Sequence, residues 1–203
     1  MKTLRLSSHN LHKLEEIRAV MAPLGYDVRD LTDLPAYDVV EDGDTFEANA
    51  LKKARALHAH SQDIALADDS GLSMDALHGG PGVYSARWAN AEGGDQDAAN
   101  NAKLLQSIAH VEKPTGRFVC VLAYIEPGQE PIIVRGEVEG TITREARGTN
   151  GFGYDCLFIP NGSDRTFGEQ TTAEKNAVSH RSQALHKLVE ILKSRQYSGH
   201  SLG

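Results

Sequence analysis

The chain has few of the residues that staple, anchor or strongly charge a protein. Its 203 residues include two cysteines, Cys120 and Cys156. Two thiols cannot build a disulfide framework, and Met1 to Ser7 holds no apolar core of signal-peptide length. The expectation is a cytoplasmic protein with reduced thiols. No apolar run approaches the ~18 residues of a spanning helix, so no membrane partner is expected. Basic charge is also short. Lys and Arg number 21 against 28 Asp and Glu, a net charge of −7. That argues against a nucleic-acid polymer as partner. It does not argue against a small anionic ligand, because local charge can oppose net charge. There is no G-x-x-x-x-G-K-[ST] loop and no zinc-ligand spacing among the histidines, and the acidic pair Asp68-Asp69 lacks the D-x-D form of aspartyl-phosphate phosphatases.

What is present is a periodic α/β pattern. Leu4-Arg5-Leu6 reads as a strand. Leu14, Ile17, Met21 and Leu24 then recur at helical spacing, and Tyr26-Asp27-Val28 reads as a second strand. Residues 35–44 are acidic and loop-like. A second helix follows with Phe46, Ala50, Ala54 and Leu57 on one face, Asp44 as expected N-cap and Glu47 completing a capping box. Ile64 to Ala67 reads as a short buried strand that ends in a polar turn. Residues 78–94 read as loop, 95–108 as helix, and 118–125 with 132–142 as a long hairpin, which makes the sheet mixed. The last helix is placed near Ser179. The sequence predicts one domain over residues 1–197, possibly of two lobes, and a frayed tail over 198–203.

Several short stretches could carry chemistry. Ser8-His9-Asn10-Leu11-His12-Lys13 lies between a strand and a helix start, where backbone N–H groups favour an anion. An ordinary N-cap is the reading that local sequence alone favours. Asp68-Asp69-Ser70-Gly71 follows a buried strand, and two crowded carboxylates ask for a cation or a proton. Hard oxygen ligands of this kind suit Mg²⁺; a solvated turn is the alternative. Glu41 has no evident structural task and could complete a metal site. Lys53 shares a helix face with Asn49. Lys175 and the His180-Arg181 pair flank a helix start where basic residues run against the macrodipole. Phe152-Gly153-Tyr154-Asp155 offers an aromatic to stack on a base and an acid for its edge, or else a glycine turn with its aromatics in the core.

Together these stretches resemble the inosine triphosphate pyrophosphatase family. The matching runs are Ser8-His9-Asn10 with Lys13, Thr45 to Ala50 with Lys53-Ala54, Ala67-Asp68-Asp69-Ser70-Gly71-Leu72, Gly80 to Arg87, Gly151 to Asp155, and Lys175 with Ser179-His180-Arg181. They occur in family order from residue 7 to about 190. Two departures stand out. Cys156 replaces a usual proline after the aromatic turn, and Ala48 varies within the Phe-Glu-Ala-Asn-Ala run.

The resemblance implies a homodimeric α/β fold with a long mixed central sheet flanked by helices and two lobes around an active-site cleft. It implies Mg²⁺-dependent hydrolysis of non-standard purine nucleoside triphosphates (ITP, dITP, XTP) to the monophosphate and pyrophosphate, which keeps deaminated purines out of DNA and RNA. By motif match Asp69 is the expected catalytic acid, and Glu41, Asp68 and Asp69 are metal-associated. Ser8, His9, Asn10, Leu11, His12, Lys13, Lys53, Ser70, Phe152, Gly153, Tyr154, Asp155, Lys175, His180 and Arg181 are expected to meet substrate.

Overall fold

The computed structural model describes residues 1–199, with side chains through residue 195. The first element is strand β1 (Lys2–Leu6), followed by helix α1 (Leu11–Met21). Asn10 caps α1. Its backbone is extended, and its side-chain oxygen accepts from the N–H groups of His12 and Lys13. Leu14, Ile17 and Met21 are buried on one face, each such side chain contributing about 1.5–3 kcal/mol. Pro23 cannot continue the α-helical bonding, and the chain closes in a 3-10 turn over Ala22–Leu24 before β2 (Tyr26–Arg29).

Helix α2 (Phe46–Ser61) starts one residue later than expected. Its N-cap is Thr45, whose hydroxyl accepts from Ala48 N–H at 3.1 Å. Asp44 therefore lies outside the cap. Glu47 does not close a capping box but pairs with Arg135 at 2.9 Å.

Strand β3 (Ile64–Met74) is longer than expected. The acidic stretch Asp68-Asp69 is not a turn after the strand but its middle, and both residues are buried. Polar side chains can sit inside a strand when each finds a partner. Asp68 accepts from Lys13, and Asp69 from Lys53. Neighbouring strand residues point to opposite faces, which is how two adjacent acids reach lysines on different helices.

The later elements are α3 (Gln96–Ser107), β4 (Thr115–Ile125), β5 (Ile132–Ile142), β6 (Phe158–Pro160), α4 (Thr172–Val178) and α5 (His180–Gly199). The hairpin strands fall where the apolar runs place them. β6 and α4 are additions to the expected set. The expected frayed tail over 198–203 overlaps the last two residues of α5; its remainder, from residue 200, lies outside the described residues.

The sheet has the order β2-β1-β3-β4-β5-β6. β1 pairs in parallel with both β2 and β3, and β6 runs antiparallel to β5, so the sheet is mixed. The chain groups into two compact units. The first comprises residues 1–69, 121–136 and 183–203; the second comprises 70–120 and 137–182. β3, β4, β5 and α5 each supply residues to both. In the first unit Leu4, Leu6, Leu57 and Leu66 are buried with the apolar face of α1. The second has its own cluster around Phe118, Phe158 and Phe167, joined by Leu72, Leu104 and Tyr154.

Candidate active site

In the first unit, residues from the turn after β1, α1, the 31–41 loop, α2 and β3 line a cavity of about 610 Å³. Ser8, His9, Lys13, Glu41, Lys53 and Asp68 all face it. The turn before α1 is internally satisfied. Asn10 N–H donates to Ser8 Oγ at 3.1 Å, and Asn10 Oδ1 takes the next two free amides of the helix start. An anion placed there would meet Ser8, His9 and Lys13 rather than those amides. Leu11 and His12 point outward.

Lys53 stands between acids. Its Nζ is 3.1 Å from Asp69 Oδ1 and 3.6 Å from Glu41 Oε2. Burial pulls the lysine's pKa down, but Asp69, Asp68 and Glu41 together push it above its ordinary value. Asp69 shows the other side of the same arrangement. Burial drives its pKa up, Lys53 only partly offsets this, and Glu41 and Asp68 add to it. Lys53 thus faces three carboxylates, of which Asp68 is also bonded by Lys13, and Asp69 is left under-compensated. Its Oδ2 is buried with no hydrogen-bond partner among the described residues.

Two braces hold this wall, and motif matching does not single them out as functional. Asn49, fully buried on α2, accepts from Gly43 N–H at 2.8 Å and donates to Gly43 C=O at 3.2 Å. This ties the loop that carries Glu41 to α2. A Cβ on Gly43 would lie 2.6 Å from Asn49 Oδ1, so the approach requires glycine. On β1, Arg5 is buried and binds Asp33, Asp63 Oδ2 (2.8 Å) and the carbonyl of Asp30 (3.1 Å), which fixes the 30–35 loop. Tyr37 adds a ring stacked on His60 at 4.9 Å, with its hydroxyl 3.4 Å from Ser7 Oγ. The sequence signal for Asn49 was its position inside the Phe-Glu-Ala-Asn-Ala run; a lone arginine or tyrosine carried none.

A second, smaller cavity of about 110 Å³ lies in the second unit. Ser70, Phe152 to Asp155, Lys175, His180 and Arg181 all contribute to its lining. The 151–155 turn is pinned from within. Asp155 Oδ2 accepts from Phe152 N–H at 3.0 Å and from Lys175 Nζ at 2.6 Å. Gly151 has φ +73°, and any Cβ there would collide with the Asp155 carboxylate. The two aromatics of the turn divide their tasks. Tyr154 is buried, and its hydroxyl donates to Ser85 C=O at 2.7 Å, so it is a core residue. Phe152 is 44% exposed, with Lys175 Nζ 5.0 Å from its ring centroid, and presents a face to a planar ligand. His180 stacks on Phe118 at 4.9 Å and 15°, and Arg181 is buried beside it in sequence. Ser179 Oγ caps α5 by accepting from Ser182 N–H at 3.1 Å. Lys175 does not flank the last helix but rides on α4, a separate helix closed by a Thr171–Glu174 capping box.

A larger cavity, about 1100 Å³ against α5 and β5, contains none of the expected site residues. Size alone does not choose the site; convergent charge does.

One pocket gathers lysines and carboxylates under a small turn, and the other offers an aromatic face beside a lysine and an arginine. The mixed sheet makes this an α/β protein; the first pocket has the chemistry for phosphate oxygens and the second that for a planar ring. The Ham1 family model matches residues 4–191, and the chain belongs to that family. It is 47% identical over 195 residues to a dITP/XTP pyrophosphatase of Bacillus licheniformis, covering 95% of this chain and 98% of that one. The dITP/XTP pyrophosphatase of Bacillus subtilis is 45% identical over 197 residues, covering 96% and 98%. The solved Ham1 protein of Staphylococcus aureus superposes with a TM-score of 0.87 at 35% identity, covering 96% of this chain and all of that one. The Mycobacterium abscessus nucleoside-triphosphatase / dITP/XTP pyrophosphatase gives a TM-score of 0.77 at 42% identity, covering 94% and 99%.

Proposed function

We propose that this chain hydrolyses non-standard purine nucleoside triphosphates (ITP, dITP and XTP) to the nucleoside monophosphate and pyrophosphate. The observation that carries the reading is the Asp69 carboxylate: buried, raised in pKa, bonded to Lys53 through one oxygen and orphaned at the other. Such a group is suited to take a proton or bind a cation.

The donor set fits Mg²⁺ in a particular way. Among the described residues no group of three His, Cys, Asp or Glu side chains is arranged to hold a metal. Mg²⁺, however, is commonly held by one or two carboxylates, with phosphate and water completing its shell. Asp69 and Glu41 would hold it, with Asp68 as acidic neighbour already bonded to Lys13. When bound, Mg²⁺ supplies neutralisation of the charge on the phosphate oxygens.

The chain's own residues account for the remaining work. Asp69 Oδ2 accepts a hydrogen bond from a water and orients it for in-line attack on the α-phosphorus, taking its proton as the new P–O bond forms and the opposite P–O bond to the departing pyrophosphate breaks. Lys13 and Lys53 stabilise the charge that spreads over the phosphoryl oxygens. Ser8 and His9 add donors at the same wall, and Asn10 holds that wall in shape. In the second pocket the base stacks on Phe152. Donors from Lys175, His180 and Arg181 face a 6-oxo group, Gly153 lets the turn approach the ring closely, and Ser70 lines the same cavity. Adenine would bring a 6-amino donor to donors and leave buried polar groups unpaired, which discriminates strongly. We further propose that both units act as one domain, since the chain passes between them four times. A homodimer working in the cytoplasm completes the reading; the two cysteines are not disulfide-bonded, in keeping with a reducing compartment.

Incubation with ITP, dITP, XTP, GTP and ATP, with and without Mg²⁺, tests the reading when pyrophosphate and orthophosphate are assayed separately. Pyrophosphate from the inosine and xanthosine nucleotides is expected. Orthophosphate as first product would overturn it. Light scattering of the purified chain checks the dimer.

A further inference from the structure

Helix α3 grips the aromatic turn by a single residue, Gly153. Asp97 Oδ2 accepts from Gly153 N–H at 2.8 Å, and one turn further along, Asn101 Nδ2 donates to Gly153 C=O at 3.0 Å. The two side chains are four residues apart and so lie on one helical face. Both polar groups of one peptide unit's residue are taken by one helix. Gly153 has φ +59° and no side chain, so without the grip it is the loosest point of the turn.

The grip acts next to the residue that matters. Phe152 precedes Gly153, is the exposed aromatic of the turn, and carries Lys175 over its ring. Asp155 holds the turn from inside through Phe152 N–H. α3 holds it from the other side. Asp97 also lines the same cavity as Phe152. The α3 residues have no structural task elsewhere that explains the pair. Asp97 is not the N-cap of α3, which is Asp95, and among the described residues Asn101's amide nitrogen otherwise reaches only Cys156 Sγ, at 3.5 Å.

We infer that Asp97 and Asn101 are positioning residues that set purine selectivity by fixing the Phe152 ring through Gly153 and so holding the stacked base in register with the donors to its 6-oxo group. This rests on the proposed reading of the second pocket as the base site. Asp97 and Asn101 need not touch the base. A displacement of about 1 Å at a stacking partner can cost a large factor in rate, and the loss falls mostly on binding when the reacting end is unchanged.

The test compares Asp97→Ala, Asp97→Asn, Asn101→Ala and Phe152→Ala. Asp97→Asn removes the charge but keeps an acceptor for Gly153 N–H, and so separates hydrogen bonding from electrostatics. Asp97→Ala and Asn101→Ala are expected to raise KM for ITP about tenfold with kcat within about twofold, and to lower the ITP-to-ATP ratio of kcat/KM by a similar factor. Asp97→Asn should restore both to within about twofold of the parent. Amide hydrogen exchange at Gly153 should speed up in the two alanine variants and not in Asp97→Asn. Combined with Phe152→Ala, either alanine should add little further loss, because both act through one ring. An unchanged ITP-to-ATP ratio in Asp97→Ala and Asn101→Ala, while Phe152→Ala lowers it, would overturn the inference alone. An unchanged ratio in Phe152→Ala would instead overturn the assignment of the base site. Should Asn101→Ala fail to fold, the Asp97 pair decides by itself.

Discussion

Lys53 Nζ donates to Asp69 Oδ1 at 3.1 Å, while Asp69 Oδ2, on the same buried carboxylate, has no hydrogen-bond partner among the described residues. The relationship is asymmetric by construction. Lys53 comes from the third turn of α2 and can approach from one side only, and β3 carries the acid inside the sheet rather than at its end. A half-satisfied buried carboxylate costs stability, and such sites are where chemistry tends to be stored.

Asp69→Asn should remove turnover while sparing the fold. The amide keeps an oxygen for Lys53 but can neither take a proton nor hold a cation. Loss of a general base costs about 10²–10⁴ in kcat. The stability effect has a sign. Burial raises the folded-state pKa of Asp69, so the acid favours the folded state most when protonated, and this advantage is lost as pH rises through the raised value. The Asn variant, free of that penalty, should therefore gain in Tm relative to the parent as pH rises above the ordinary carboxylate range. Thermal melts with chelator between acid and neutral pH check this, and full turnover by the variant refutes the role.

Lys53→Met tests the cation from the other direction. The substitution keeps the volume of the stem but removes the ammonium that Glu41, Asp68 and Asp69 share, while Asp68 keeps its bond from Lys13. Breaking a buried pair by removing one member costs about 3–5 kcal/mol. The lost Tm should be larger at pH 8 than at pH 5, because the repulsion needs ionised carboxylates. Millimolar Mg²⁺ should return part of it. A deficit that is the same at both pH values and insensitive to Mg²⁺ would show that Lys53 matters through packing alone.

Much of this arrangement was legible in the sequence, and the parts that were not share a cause. Apolar periodicity located α1, α2, α3 and the β4–β5 strands, because each buries a continuous face. It stopped β3 at Ala67, because Asp68 and Asp69 break the apolar pattern; partners 16 and 55 residues away allow the strand to continue. Local pattern also chose Asp44 over Thr45 as the cap of α2, since both are good caps and one residue of register separates them. The Thr171-x-x-Glu174 signature of α4 was present, but a seven-residue helix lacks the length for a clear apolar face. At the site, motif order identified the residue types, whereas the division of labour came only from burial. Asn10 proves to be a cap, Tyr154 a core residue and Phe152 the exposed ring. The braces, Asn49 on Gly43 and α3 on Gly153, are contacts between a side chain and a backbone. Nothing in the sequence of a glycine announces that its peptide groups are held.

Asn49→Ala should destabilise the protein and loosen the acidic loop together. The substitution strands Gly43 N–H and C=O, both partly buried, and an unmade buried hydrogen bond costs about 1–3 kcal/mol. Because Gly43 follows Glu41 by two residues, the Mg²⁺ concentration for half-maximal activity should rise more than KM for ITP measured at saturating Mg²⁺. Gly43→Ala attacks the same contact from the loop side, since its Cβ would meet Asn49 Oδ1 at 2.6 Å. Matching Mg²⁺ shifts in the two variants are expected. A stability loss with no Mg²⁺ shift in either would reduce the brace to a scaffold role.

Glu174→Gln probes whether α4 is held by charge or by its cap. Glu174 accepts from Thr171 N–H at 2.8 Å in the capping box and pairs with Arg165 at 2.9 Å. The Arg165 hydrogen bond, aided by the Thr171 amide, holds its carboxyl at a pKa of about 2. A depressed folded-state pKa stabilises the folded form above the unfolded value and loses that contribution as pH falls through the folded one. Glutamine can still accept from the Thr171 amide but cannot pair with Arg165. The variant should therefore melt below the parent at neutral pH, and the gap should close as pH drops from about 4.5 toward 2. The site should register the change as well. α4 carries Lys175, whose Nζ binds Asp155 at 2.6 Å, so a loosened helix should raise KM for ITP and leave kcat nearly unchanged. A Tm gap that persists unchanged to pH 2 would assign the loss to side-chain geometry rather than to charge.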